Sequence, residues 1–446
     1  MDSARETALK VLIKIHKQGA YSTLALKAAL SEREEMQSTS MVRELVYGVI
    51  ENQRFIDEII SLQSNIKLGK IQNNIMEILR LGVYQILFLD RVPERAAVHE
   101  SVELAKKFGN KGAAGFVNGI LRRISEKREF FMGDKFLTSD KEAAIRYSHP
   151  DFVFKMWSKQ YGSTFTKDLM AANNEVPPFT IRVNTLKTTK QKLIELLNHR
   201  GFDLAECRFA IDCIQIKNPK NITGIEEYKR GLFTIQDEAG MLVTEVMNPT
   251  KDSNILDVCS APGGKATHMA QWINDSGIVY ARDIYPHKIN LIKGLQNRLD
   301  TKSIHVELND ALILDEELIN KIDYCLVDAP CSGLGIIRRK PDIKLTRDLQ
   351  DIEELIKLQK NILSISAKYV KPGGIMVYST CTLNINENLG NVRWFLDQNR
   401  DFRLTPIVLS TGKVLSDTQS EGYVELFPNV HGTDGFFIAR MERIIE

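Results

Sequence analysis

The chain has 446 residues, of which 43% are hydrophobic and 26% are charged, and its formal net charge is +2. This length exceeds one ordinary hydrophobic core, so two or three domains are expected, and the composition is typical of a globular protein. No apolar run reaches about 18 residues, which argues against a membrane span. The first 19 residues lack the pattern of a secretion signal, so we expect a cytoplasmic protein with no membrane partner.

Residues 1–130 carry apolar side chains at helical spacing throughout, for example Val42, Leu45 and Val49. Apolar residues that recur three and four positions apart form one face of an amphipathic helix. Strand-type alternation is absent here, so we predict an all-α bundle that is large enough to fold alone. The helical period loosens over 131–165, and we interpret that segment as a connector.

After the connector the sequence pattern becomes that of an α/β protein. We predict a small α/β subdomain over 166–240 and a larger domain over 241–446. In the larger domain strand-like runs alternate with helical ones, which predicts a parallel, doubly wound, Rossmann-like sheet whose ligands lie at the carboxyl ends of its strands. The predicted strands are Phe179–Val183, Leu232–Ile235, Asn254–Val258, Ile278–Ala281, Ile304–Glu307, Tyr324–Val327, Ile375–Tyr378 and Phe436–Arg440.

A glycine-containing loop follows the first strand of the larger domain. Its glycines would let the backbone approach a ligand at the start of the next helix, and Asp283 and Asp310, which follow the next two strands, suit a ribose and an adenine amino group. Neither a G-x-G-x-x-G nor a Walker motif is present, so a nucleoside without pyrophosphate is favoured, which points to S-adenosylmethionine. The loop consists of Cys259, Ser260, Ala261, Pro262, Gly263, Gly264 and Lys265.

Two cysteines follow strand-like runs, Cys331 in the sequence Asp-Ala-Pro-Cys and Cys381 in the sequence Ser-Thr-Cys-Thr. Two thiols at one sheet edge could divide a covalent reaction, in which one attacks an electron-poor ring carbon and the other assists release. Thiolate addition to C6 of cytosine would make C5 nucleophilic enough to accept a methyl group. Asp328 could donate to or orient the ring N3, a role for which burial would have to raise its pKa.

The six cysteines do not have the pattern of a disulfide framework. None of their spacings is the C-x2-C of structural zinc sites, so we expect no metal. They are Cys207, Cys213, Cys259, Cys325, Cys331 and Cys381.

These motifs resemble the RNA cytosine-C5 methyltransferases of the RsmB/Nop/Sun family over about residues 165–446. The resemblance implies S-adenosylmethionine as cofactor, bound by the loop 259–265 with Asp283, Asp310 and Asp328. It also implies that Cys381 is the nucleophile and that Cys331 assists release, an assignment that spacing alone leaves open. Lys265 could orient Asp328 or meet a substrate phosphate.

The helical part resembles the NusB antitermination fold, with the matching stretch Phe116-Val117-Asn118-Gly119-Ile120-Leu121-Arg122-Arg123 among others. RNA binding by the bundle is implied by this resemblance, and a protein-docking bundle is the alternative. Arg338, Arg339 and Lys340, which follow the Cys331 motif, would be placed to meet backbone phosphates.

The leading hypothesis is thus cytosine-C5 methylation of RNA, with 16S rRNA as the expected target and DNA not expected as a partner. The alternatives are the same chemistry on tRNA or another RNA, and a non-catalytic RNA-binding or antitermination factor. An amino-group methyltransferase is disfavoured because Asp-Ala-Pro-Cys replaces the [DNS]-P-P-[YFW] sequence. A nicotinamide dehydrogenase is disfavoured by the missing pyrophosphate loop.

Overall fold

The computed structural model describes residues 3–31 and 36–445. The chain divides into two compact units, of which the first comprises Met1–Asn174 with Lys340–Thr346 and the second comprises Glu175–Arg339 with Arg347–Glu446.

The first unit is helical, as its apolar periodicity predicts. Its core is built from aliphatic residues that recur every three or four positions, such as Leu45, Val46 and Val49, all fully buried. Its helices are α1 (Ser3–Gln18), α2 (Ser22–Leu30), α3 (Met36–Glu51), α4 (Gln53–Gln63), α5 (Asn73–Phe88), α6 (Glu94–Phe108), α7 (Ala113–Glu126), α8 (Arg128–Met132), α9 (Ala143–Arg146), α10 (Asp151–Tyr161) and α11 (Ser163–Ala172).

The helical unit continues beyond the predicted bundle of residues 1–130. Helices α10 and α11 pack on each other, and Val153, Trp157 and Leu169 are buried, so the segment interpreted as a connector is partly helical and packed. That residues 1–130 fold alone remains a prediction.

A short piece of the later chain also belongs to the helical unit. It contains α17 (Ile343–Thr346), and the Lys344 ammonium donates to the Glu51 carbonyl at 2.9 Å and to Asn174 Oδ1 at 2.6 Å. Burial lowers the pKa of Lys344 to about 7.

The second unit begins with a small antiparallel sheet in the order β2-β3-β1-β4. Two of its strands were expected, whereas β2 and β3 are too short to give an alternating pattern. Cys207 and Cys213 form a disulfide beside β3, although no disulfide was expected from the cysteine spacing. The elements are β1 (Thr180–Val183), α12 (Lys190–His199), β2 (Leu204–Glu206), β3 (Cys213–Ile216), α13 (Glu226–Lys229) and β4 (Phe233–Ile235).

The large sheet has the order β10-β12-β9-β8-β5-β6-β7, with β11 paired to β12. Five adjacent strands run parallel, namely β9, β8, β5, β6 and β7. Strand β12 is antiparallel to β9, so the sheet is mixed rather than wholly parallel. Its elements are α14 (Glu238–Met247), β5 (Asn254–Asp257), α15 (Gly264–Trp272), β6 (Ile278–Asp283), α16 (Pro286–Leu299), β7 (Ile304–Leu308), β8 (Ile322–Asp328), α18 (Leu349–Ser366), β9 (Val370–Thr380), α19 (Leu389–Gln398), β10 (Phe402–Leu404), β11 (Tyr423–Leu426), α20 (Pro428–His431) and β12 (Phe436–Arg443).

The strand order places β9, β8, β5, β6 and β7 side by side, all in the same direction. Their carboxyl ends therefore meet at one edge of the sheet, where ligands of doubly wound folds bind. None of the helices within residues 3–31 and 36–445 combines the length and the apolar character that a membrane span requires.

Candidate active site

The loop between β5 and α15 makes a tight turn at this carboxyl edge. The peptide bond between Ala261 and Pro262 is cis, and Gly263 has a φ of 100° in the left-handed region. A side chain at Gly263 would bring its Cβ to 3.2 Å from the Cα of Ile292, so the loop packs closely on α16. Gly264 then begins α15, whose first backbone N–H groups have no partner within the helix. The turn thus offers backbone donors to a ligand at this edge.

Two of the predicted acids lie at the ends of the neighbouring strands. Asp283 is the last residue of β6, and its Oδ1 accepts a hydrogen bond from the Tyr285 N–H at 3.2 Å. Asp310 follows β7, and its Oδ1 accepts from the Leu312 N–H at 2.9 Å. Each carboxylate is held by the turn that follows it, on the same edge as the glycine loop.

Asp257, the last residue of β5, is a site residue that the sequence analysis missed. It is only 1% exposed, and neither carboxylate oxygen has a hydrogen bond of good geometry among the described residues, although the Ser260 hydroxyl and the Cys259 N–H lie near enough to lower its pKa. Burial and the negative charge of Asp328 raise the pKa of Asp257 to about 7, while Lys265 acts in the opposite direction. Its place at the end of an apolar run, directly before the glycine loop, is the signal that could have found it.

The glycine loop is also held from the small sheet, by the fully buried Arg182. Its guanidinium donates to the Gly264 carbonyl at 2.6 Å and to Thr267 Oγ1 at 3.0 Å, and it contacts the Gln236 side chain. Burial lowers the pKa of Arg182 to about 9. Arg182, which was not predicted as a catalytic residue, therefore supports the start of α15 rather than facing a ligand.

Lys265 and Asp328 form an ion pair at the end of β8. Lys265 Nζ lies 2.6 Å from Asp328 Oδ2, and Ser379 Oγ donates to Asp328 Oδ1 at 2.7 Å. Burial opposes the charge on Lys265, but Asp328, by its charge and hydrogen bond, outweighs this and raises the lysine pKa. Asp257 and Cys381 contribute in the same direction. The structure thus brings a cation, an oriented carboxylate and a thiol together.

The two predicted thiols are in direct contact, with 3.2 Å between Cys331 Sγ and Cys381 Sγ. The register of β8 and β9 causes this, because Asp328 pairs with Ser379 and each cysteine lies two or three residues further on. The hydrogen bond with Cys381, together with burial, raises the pKa of Cys331 well above its usual value. A thiol in that state holds its proton, whereas Cys381 lies near enough to the Lys265 ammonium to affect it.

Cys259, the first residue of the predicted cofactor loop, has a mainly buried thiol. Burial, followed by the charge of Asp257, raises its pKa far above the usual range, so it contributes backbone rather than a reactive sulfur.

The arginines expected to meet phosphates are instead engaged within the protein. Arg338 is buried and pairs with Asp434 at 3.1 Å, and Arg339 bonds Asp434 and Asp237, each at 2.6 Å. Burial leaves Arg338 little surface for a phosphate, whereas Arg339 is partly exposed and Lys340 is exposed, so phosphate contact by the latter two stays a prediction.

Three family models match the chain. The model described as 16S rRNA methyltransferase RsmB/F matches residues 244–442, the NusB family model matches residues 2–126, and a ferredoxin-like domain of RsmF/B-like methyltransferases matches residues 149–223.

Two individual relatives match along almost the whole chain, and a third matches about two thirds of it. A probable ribosomal RNA small subunit methyltransferase B from Bacillus subtilis is 36% identical over 99% of both chains. The solved structure of PH0851 is 25% identical and covers 98% of both chains with a TM-score of 0.80. A methyltransferase homologue from Pyrococcus horikoshii is 29% identical, with a TM-score of 0.61, and covers 69% of this chain and 99% of its own.

Proposed function

Because the chain belongs to the RsmB/F family of 16S rRNA methyltransferases and is thus an RNA methyltransferase, we propose that it methylates C5 of a cytosine in 16S rRNA. The observation that carries this proposal is the contact of two thiols at 3.2 Å, beside an ion pair of lysine and aspartate. Methylation of an exocyclic nitrogen or a ribose oxygen has no use for a nucleophilic sulfur. Methylation of C5 does require a nucleophile, since C5 becomes reactive only after a nucleophile adds to C6.

In this proposal the thiolate of Cys381 adds to C6 of the target cytosine. The Lys265 ammonium favours the anionic sulfur electrostatically, and its effect is reciprocal with that of Cys381 on the lysine pKa. Cys331 is the poorer candidate because its raised pKa keeps it as a thiol.

The ring is oriented by Asp328, and the proton that N3 takes as the thiolate adds to C6 passes from the Lys265 ammonium through the carboxylate of Asp328. Lys265 and Ser379 hold both of its carboxylate oxygens, so the group is fixed before the base arrives. A carboxyl held in this way can interact with the N3 and N4 edge of cytosine at little cost in reorganisation.

Release of the product requires that the C5 proton leaves and that the bond between C6 and sulfur breaks. As solvent water takes the C5 proton, the electron pair of the C5–H bond forms the C5–C6 double bond, and Cys381 departs as thiolate. Cys331, in contact with Cys381 and protonated, is placed to stabilise the departing sulfur by hydrogen bonding.

The residues at the carboxyl edge fit S-adenosylmethionine, which when bound supplies the methyl group from its sulfonium. The buried carboxylate of Asp257, which has no hydrogen bond of good geometry among the described residues, is the structural observation behind this fit, because it could accept hydrogen bonds from an ammonium group. We further propose that the turn 259–264 approaches the ligand with its backbone, and that Asp283 and Asp310 accept from the ribose and adenine.

For the helical unit we propose RNA binding, supported by its match to the NusB family. We also propose a cytoplasmic location, where rRNA is found.

The position of methylation can be tested with 16S rRNA that carries tritium at C5 of its cytosines. Incubation with the protein and S-adenosylmethionine should release tritium to water in proportion to methyl groups transferred. Methyl transfer without tritium release would place the methyl group elsewhere and overturn the proposal. A further control is tRNA labelled in the same way, which should release little tritium.

A further inference from the structure

The two cysteines are carried by separate loops, and the strand ladder does not reach them. The pairing of β8 with β9 ends at Asp328 and Ser379, with one further hydrogen bond from the Ala329 N–H to the Ser379 carbonyl at 3.1 Å. The distance between the sulfurs therefore depends on contacts beyond the sheet.

Glu387 lies between these loops and is fully buried. Its Oε1 accepts from the Ser332 N–H at 2.9 Å and from Gln359 Nε2 at 3.0 Å. Its Oε2 accepts from Ser332 Oγ at 2.6 Å and from Asn384 Nδ2 at 3.0 Å. One side chain thus accepts four hydrogen bonds, from the Cys331 loop, from α18 and from the Cys381 loop.

The same contacts extend to the residues next to each thiol. Ser332 follows Cys331, and its hydroxyl is 2.7 Å from the hydroxyl of Thr382, which follows Cys381. On the other side of Cys331, the Pro330 carbonyl accepts from Gln359 Nε2 at 2.8 Å. The backbone on both sides of Cys331 is therefore connected to Glu387, directly or through one side chain.

The burial of this carboxylate needs a reason, because no ion pair among the described residues includes Glu387. A buried acid without a cation is costly unless its acceptor capacity is used. The four donors meet that need, and three of them belong to the loops that carry the thiols, which a backbone hydrogen bond from the Gly335 N–H to the Cys381 carbonyl at 3.0 Å also joins.

We propose that Glu387 is a positioning residue that holds Cys331 against Cys381, so that release of the covalent RNA adduct depends on it. The inference rests on the covalent mechanism proposed above and adds to it the group that keeps the two loops in register. Glu387 also contributes, after the contact with Cys381 and burial, to the raised pKa of Cys331.

The test compares Glu387→Gln with Cys331→Ala and with the wild-type protein. The amide isostere keeps the volume but turns an NH2 group toward donors, so the two loops should separate. We expect turnover to fall about 100-fold, as for a misplacement of about 1 Å. We also expect a denaturation-resistant RNA adduct to accumulate, as in Cys331→Ala, because Cys381 can still attack while release stalls.

Glu245→Gln is the matched control, since Glu245 is also a buried glutamate of this unit that accepts from a backbone N–H, that of Ile211 at 2.9 Å. It should form adduct and turn over as the wild-type protein does. Ser332→Ala removes the hydroxyl between Glu387 and Thr382, so it should also increase the amount of adduct relative to turnover. If Glu387→Gln does not fold, the result for Ser332→Ala tests the proposed role of Glu387.

The outcomes separate this inference from the mechanism on which it rests. If Cys331→Ala gives adduct while folded Glu387→Gln and Ser332→Ala give none, the role of Glu387 is overturned and the mechanism stands. A parallel loss of adduct formation and turnover in Glu387→Gln would also contradict it, since that is the result of general damage. If Cys331→Ala itself gives no adduct, the proposed release step fails.

Discussion

In the proposed mechanism, two neighbouring cysteines have different roles because their surroundings differ. Cys331 is held as a thiol by its contact with Cys381 and by burial, whereas Cys381 lies near the ammonium of Lys265. The sequence predicts that both thiols reach one edge, but it does not distinguish their roles without the family resemblance. The position of Cys381 near the Lys265 ammonium supports the same assignment.

The two alanine variants should therefore fail in opposite ways. We expect Cys381→Ala to lose methyl transfer and to form no denaturation-resistant complex with RNA, because no bond to C6 can form. Cys331→Ala should form that complex and turn over slowly, because release is impaired. A denaturing gel and a methyl-transfer assay measure both, and activity retained by Cys381→Ala would contradict the assignment.

Asp257 gives a prediction about stability and pH. Its pKa is raised to about 7 from an ordinary value of 3.8, so the folded protein holds this proton more tightly than the unfolded chain does. As the pH rises from 3.8 to about 7, the contribution of Asp257 to the free energy of unfolding therefore becomes steadily less favourable, and above about 7 it stays constant. Asp257→Asn should stabilise the cofactor-free protein at pH 8, relative to its effect at pH 4, by on the order of a few kcal/mol.

Denaturant unfolding of both proteins at the two pH values measures this difference. The exposed Asp252, where Asn also tolerates the left-handed backbone, provides the control Asp252→Asn. An equal effect of Asp257→Asn at pH 4 and pH 8 would show that this carboxyl does not carry the pH dependence.

At the level of elements, the turn between β5 and α15 is the feature whose backbone matters most. Gly263→Ala would strain a residue at φ 100° and press its Cβ against α16, so we expect a loss of about 1–3 kcal/mol in stability and weaker S-adenosylmethionine binding. Gly294→Ala, in the middle of α16 with open space around it, should instead stabilise by about 0.5–1 kcal/mol. Calorimetry of binding and unfolding distinguishes the two, and equal effects would contradict the account.

The elements that sequence patterns predict well are the long ones with a clear period. Strands such as β5, β8 and β9 follow from apolar runs, and their common direction follows from the helices between them. The strands β2 and β10 were not predicted, because three residues are too few to show an alternation of apolar and polar side chains. The antiparallel direction of β12 was not predicted either, because the order of elements along the chain does not determine the direction in which the last strand joins the sheet.

For the site too, contiguous motifs could be predicted from the sequence, whereas contacts between residues far apart in the chain could not. Loop 259–265 and the two cysteine motifs are contiguous and could be found from the sequence. The pairing of Arg338 and Arg339 with Asp434, almost a hundred residues further on, could not, since no pattern connects acids and bases across such a separation. The contacts of Glu387 with Ser332 escape for the same reason.

At the scale of the whole molecule, the question is what the helical unit binds. If it binds RNA, the exposed Arg122 and Arg123 of α7 should contribute to phosphate contacts. The double alanine variant should bind rRNA more weakly, and the slope of log affinity against log salt should fall by about two. Filter binding at several salt concentrations measures this, and an unchanged slope would favour a protein-docking role for this face.

The most direct test of the central claim is to isolate the covalent complex of Cys331→Ala with 16S rRNA, digest it with nuclease and protease, and identify the modified peptide by mass spectrometry. The account predicts a single cytidine, methylated at C5, attached to Cys381. A nucleotide attached to any other residue, or a complex that survives in a variant lacking Cys381, would contradict it.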